Sequence, residues 1–149
     1  MKILVIDTYY NDFLKTKYNS EEKLSKYSYK DQLDKLISSR FGTSDFYSHN
    51  LKKIGIQSDE LIVNCIPLQN KWAKENNLNV LNISSKIPHK LFKLPLIKNK
   101  ISSLRSIFKI ALEQIKNYSP DVLYCQDISF FPKEILNKIK QENHVKLLV

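Results

Sequence analysis

"KILVID", Lys2 to Asp7, is four consecutive apolar residues, three of them β-branched, closed by a carboxylate. The run is too short for a buried helix and shows no polar alternation, so it reads as a strand covered on both faces. Two later stretches repeat the theme: "ELIVNC", Glu60 to Cys65, and "VLYC", Val122 to Cys125. A last short strand is expected in "VKLLV" at the end of the chain.

The segments between these runs have helical spacing. From Glu21 a helix would place Tyr29, Leu33, Leu36 and Ile37 on one face, with Lys30, Asp31, Asp34 and Lys35 opposite. "RFGTSDFYSHNLKKIGI", Arg40 to Ile56, holds both glycines of the chain. It reads as a short helix capped by Thr43 or Ser44, with Asp45 in its first turn, Leu51 and Ile54 inward, and Gly55 as an αL stop. "PLQNKWAKENN" is a helix with Pro67 at its first position, and Trp72 most simply packs on the core. The clearest stripe is Leu104, Phe108, Ala111, Leu112, Ile115 and Tyr118, with Ser102 or Ser103 as cap. "FPKEILNKIKQE" is a last helix with Ile135, Leu136 and Ile139 inward. Thr8 to Ser20 shows no clear period. Leu78 to Lys100, punctuated by Pro88 and Pro95, reads as a mobile loop or lid.

Strands alternating with helices predict an α/β fold: a Rossmann-like three-layer domain with a mostly parallel sheet. A single domain over residues 1–149 fits this length. A buried-type strand at the end leads us to expect a fragment of a longer, two-domain protein.

Composition narrows the function classes. Hydrophobic residues at 42% and charged residues at 26% are ordinary for a globular protein. No apolar run approaches a membrane span, and the first strand meets Asp7 too soon for a signal peptide. A cytoplasmic protein is expected, with at most peripheral contact at a membrane face. The net charge of +9 comes from scattered lysines, with Arg40 and Arg105 the two arginines, so no nucleic-acid role is expected. Cys65 and Cys125 each lie in or at the end of an apolar run and read as buried thiols. No Cys–His cluster suggests a metal, and His49, His89 and His144 lack ligand spacing, so neither metal nor cofactor is expected. There is no GxGxxG turn and no phosphate-binding GxxxxGK loop.

In open parallel sheets ligands bind beyond the carboxyl ends of the strands. The first strand ends in Asp7, Thr8, Tyr9 and Tyr10. The second ends near Asn64, with Gln69 on the following helix, and the third in Gln126, Asp127 and Ser129. Amides and carboxylates among aromatics suit a sugar or a nucleotide, whose hydroxyls want such partners. Asp7 and Asp127 read equally well as turn or helix caps.

"MKILVIDTYY", "FGTSDFYSHNLKKIG", "ELIVNCIPLQNKWAKEN" and "SPDVLYCQDISF", in this order, resemble the amino-terminal half of bacterial group 1 glycosyltransferases, in the family 4-like, spore-coat-type branch with the GT-B fold. The resemblance covers almost the whole chain and is a pattern of phrases without a catalytic signature. It implies transfer of a sugar from a nucleotide-sugar donor to a glycan, lipid or small acceptor. A carboxy-terminal domain would hold most of the donor, and this domain would form the acceptor side of the cleft. The chain alone would then be inactive. Gly42 would let the backbone approach a ligand, and the amides of Thr43, Ser44 and Asp45 would offer it hydrogen bonds. Tyr9 and Tyr10 stand where many such enzymes carry glycine, which argues against diphosphate contact there. If the enzyme inverts, a base is required, with Asp127 the first candidate and Asp7 the second. The rival reading is a free-standing Rossmann-like ligand-binding or regulatory module without catalysis. Its receiver-type version would want an acidic cluster, which Asp7, Asp12 and Asp127 only loosely resemble.

Overall fold

The computed structural model describes residues 1–80, 102–142 and 145–148. Four strands form one parallel sheet: β1 (Lys2–Asp7), β2 (Gln57–Ile62), β3 (Val122–Cys125) and β4 (Leu147–Leu148), in the spatial order β2-β1-β3-β4. The fold is thus α/β, a Rossmann-like three-layer domain. β1 is central, which explains its unbroken apolar run. Val5 is fully buried and Ile6 is 1% exposed.

The helices are α1 (Asn11–Ser20), α2 (Tyr29–Ser38), α3 (Phe46–Lys53), α4 (Ile66–Glu75), α5 (Ser102–Tyr118) and α6 (Lys133–Glu142). Alternation along the strands sends Leu4, Ile6, Leu61, Leu123 and Cys125 to one face. There they join Trp72 and Ala73 of α4, the stripe of α5 from Leu104 to Ile115, and Ile139 of α6 in one continuous core. Each large side chain removed from water here contributes roughly 1.5–3 kcal/mol. The opposite face carries Ser58, Glu60 and Tyr124 and is covered by α3. Ser58 Oγ donates to the Ser48 carbonyl at 2.7 Å, and the Tyr47 and Tyr124 rings lie 5.1 Å apart. A second, smaller core joins Tyr9, Leu14 of α1, Leu36 of α2, and Ile62, Cys65 and Leu68.

Several expectations are corrected. Thr8–Ser20 contains α1, whose periodicity is faint because Leu14 is its one buried residue. The helix expected from Glu21 begins at Tyr29, where the Ser28 side chain accepts the Asp31 amide as N-cap; a 3₁₀ turn at Leu24–Lys26 precedes it. β2 starts and ends three residues earlier than Glu60–Cys65. It is an edge strand, so its first half alternates exposed Gln57 and Asp59 with buried Ser58 and Glu60, and Cys65 already caps α4. Neither Thr43 nor Ser44 caps α3: Asp45 precedes it without a side-chain cap, and Ser44 Oγ donates to the Ile37 carbonyl at 2.7 Å. Gly55 does end α3 in the left-handed region, at φ 80°, but Ile54 is exposed. The loop expected at Leu78–Lys100 lies, from residue 81 onward, outside the described residues. Leu78 and Val80 pack against the main core. Among the described residues no helix is long and apolar enough to cross a membrane.

Candidate functional site

Parallel strands bring their carboxyl ends to one rim, and register places β1 between its partners there: Asp7 pairs with Ile62, and Ile6 with Cys125. The Gln126 amide extends the ladder by donating to the Ile6 carbonyl at 2.9 Å. Asp7, Thr8, Gln126 and Asp127 therefore converge by topology. The Thr8 hydroxyl donates to Asp127 Oδ2 at 3.2 Å, and the Thr8 amide donates to Asp7 Oδ1 at 2.7 Å. Burial raises the Asp7 pKa above the usual carboxylate value, the Thr8 amide pulls it partly back, and the Asp127 charge raises it further. Asp127 also caps the 3₁₀ turn at Ile128–Phe130, its Oδ1 accepting the Ser129 amide at 3.1 Å. Its cap and its place on the rim coexist.

The Gly42–Asp45 turn closes over this rim. Thr43 Oγ1 donates to Gln126 Oε1 at 2.8 Å. The other half of that amide, Gln126 Nε2, is buried and has no partner among the described residues. Gly42 sits at φ 59°, and a Cβ there would meet nothing within 4 Å, so backbone conformation, not close approach, explains the glycine. The Ser44 amide donates to the Phe41 carbonyl at 3.1 Å and is thereby already engaged.

Two expected ligand contacts hold the rim together instead. Asn64 is buried, accepts the Tyr9 amide at 2.9 Å and donates to the Tyr9 carbonyl at 2.7 Å, mimicking a strand neighbour. The Tyr9 ring is in the smaller core, against Phe13 and Phe41. Burial, eased by the Ser44 hydroxyl, pushes its pKa to about 12, so it stays protonated at neutral pH. Gln69 donates to the Ile62 carbonyl at 2.8 Å. Tyr10, by contrast, is 76% exposed and meets Phe41 edge-on. Phe46 is 62% exposed on the other side of the turn. Phe41 and Phe46 were not singled out from the sequence, where a lone aromatic in a turn carries no period.

Glu60 is a further candidate that in the sequence reads only as the start of a strand. It lies inside β2, 7% exposed, with Oε1 accepting the Ser48 amide at 3.3 Å and Oε2 without a partner among the described residues. Burial, only partly offset by Ser48, raises its pKa to about 7, with Asp7 and Asp45 adding to the rise. A charged residue adjoining an apolar run was the available signal. His49 is exposed on α3, and Cys65 and Cys125 are buried free thiols, as expected. Among the described residues no three His, Cys, Asp or Glu side chains are grouped to hold a metal.

No protein-family model, curated protein or solved structure matches the chain.

Proposed function

We propose that the rim binds a sugar hydroxyl-rich acceptor, and that the domain is the acceptor-side half of a GT-B glycosyltransferase. The observation that carries the reading is the buried Gln126 Nε2, a donor without an acceptor among the described residues, next to an Oε1 already held by Thr43. A buried unpaired donor costs about 1–3 kcal/mol, and a ligand oxygen would relieve that cost. Exposed Tyr10 and Phe46 supply apolar faces on which a pyranose ring stacks. Asp7 and Asp127 supply acceptors for hydroxyl protons.

Of these two carboxylates, Asp7 is the better base. Its raised pKa makes it more proton-avid, whereas Asp127 is occupied by Ser129 and Thr8. In an inverting transfer, Asp7 would take the acceptor proton while that hydroxyl oxygen attacks the anomeric carbon of the donor. Asp127 and Thr8 would hold Asp7 and the acceptor in register. The nucleotide-sugar would enter from a partner domain facing the rim.

Titration of the chain with simple glycosides, followed by amide NMR, tests the binding half. Saturable shifts at Thr8, Thr43 and Gln126 that vanish in Gln126→Leu are expected. Shifts elsewhere, or none at tens of millimolar glycoside, would refute rim binding. Asp7→Asn in a protein carrying both domains should lower turnover by ~10²-fold at unchanged melting temperature. A full-rate variant would remove Asp7 from the mechanism.

A further inference from the structure

A second concave site lies away from the rim, along the open edge of β2. It has a volume of about 640 Å³ and runs between that edge and α2. Two of its lining side chains are nine-tenths or more buried and carry an acceptor with no partner among the described residues: Glu60 Oε2 and Gln114 Oε1. They sit on opposite sides of the edge strand. Glu60 is held from the α3 side by the Ser48 amide. Gln114 of α5 is held on the other side by donating Nε2 to the Tyr29 hydroxyl at 3.2 Å. Leu33, Ile37 and Leu61 add aliphatic surface to the lining.

The charge of this groove inverts that of the molecule. Four carboxylates line it, those of Asp34, Asp45, Asp59 and Glu60, in a chain of net charge +9. The two lysines in the lining are already committed: Lys30 to Asp34 at 2.7 Å and Lys52 to Asp59 at 2.9 Å. Asp45 and Glu60 have no ion-pair partner among the described residues. A basic protein repels cations in general, so an acidic groove with orphaned buried acceptors selects for a cation that brings hydrogen-bond donors.

We propose that the β2-edge groove binds a small aliphatic diamine or polyamine, with one ammonium at Glu60 and Asp45, the alkyl chain across Leu33 and Leu61, and a second donor at Gln114. The donors satisfy both orphaned acceptors, and the methylenes cover the aliphatic surface. An anion finds no uncommitted lysine there among the described residues. This site does not depend on the rim reading.

Amide NMR titration of the whole chain with 1,4-diaminobutane and with spermidine tests it, at an ionic strength of about 0.15 M to screen surface attraction. Butane-1,4-diol, of the same length without charge, is the control. The expected result is a saturable response at Asp45, Ser48, Glu60 and Gln114 with the amines and none with the diol. Glu60→Gln and Gln114→Leu, each verified as folded from its own spectrum, should weaken amine binding about tenfold or more. Equal binding of the diol would overturn the cation assignment in favour of a neutral polyol. Amine shifts that survive both variants, or that never saturate, would overturn the site itself.

Discussion

The two faces of the sheet are built on different rules. The face toward α4, α5 and α6 is mostly apolar, with Asp59 exposed at its edge, and one continuous core covers it. The face toward α3 is interrupted by Ser58, Glu60 and Tyr124, each tied to α3 by a directional contact. Hydrophobic contact is non-directional and tolerates small movements, whereas a hydrogen-bonded contact is either made or lost. The first face therefore provides most of the stability. The second fixes where α3 sits, and through α3 the position of the Gly42–Asp45 turn that closes the rim. The rim turn and the Glu60 end of the groove both depend on α3, whereas Gln114, at the other end of the groove, comes from α5.

Adjacent residues of β3 give the sharpest way to break this contrast. Leu123 is fully buried in the main core, and Tyr124 faces Tyr47 on the other side. Leu123→Ala should cost about 2–5 kcal/mol, because it removes transfer energy and leaves a cavity. Tyr124→Ala removes a half-exposed ring and one aromatic pair, and should cost about 1 kcal/mol. Urea denaturation of both variants measures the difference. Equal losses would show that the two faces are energetically alike.

Glu60 tests the polar face through pH. Its pKa when folded is about 7, above the ordinary value of 4.5 because burial disfavours the anion. The folded state therefore binds this proton more tightly than the unfolded state does. The contribution is complete below about pH 4.5 and is lost as pH rises through 7. A displacement of this size corresponds to roughly 3 kcal/mol. Glu60→Gln should leave stability near pH 5 little changed and raise it at pH 8, flattening that part of the profile. Parallel profiles for the variant and the parent would show that Glu60 does not titrate in this window.

This contrast also explains what could be read from the sequence. The apolar face was legible residue by residue, since unbroken runs such as "KILVID" and the α5 stripe carry their period openly. The polar face was not. Ser58 and Asp59 are both short and polar, yet one is buried under α3 and the other is exposed at 53% of its side chain. Nothing local separates them, and only the edge position of β2 and the arrival of α3 do. The rim was partly legible because parallel topology alone gathers strand ends. Asp7, Gln126 and Asp127 do converge there. Which side chains would be used up by the scaffold was not legible. Asn64 and Tyr9 look like ligand groups in sequence, yet they bind each other across 55 positions and Tyr9 also packs on Phe41, contacts that no local pattern announces.

The smallest expected effect separates position from stability most finely. Ser58 Oγ donates to the Ser48 carbonyl, which already accepts the helix-internal amide four residues on. Ser58→Ala thus leaves that carbonyl with its principal partner. The cost should be about 0.5–1 kcal/mol, near the net worth of one hydrogen bond. If this bond also fixes the placement of α3, loosening it should be felt at Ser48, whose amide holds Glu60, and then along the turn to Thr43 and Gln126. Amide exchange in Ser58→Ala should accelerate at Ser48 and along 42–46, and stay at the parent rate in α5. Uniform acceleration across the whole chain would mean that Ser58 adds only a fraction of global stability, and α3 would then be held in place by Glu60 and the Tyr47–Tyr124 pair.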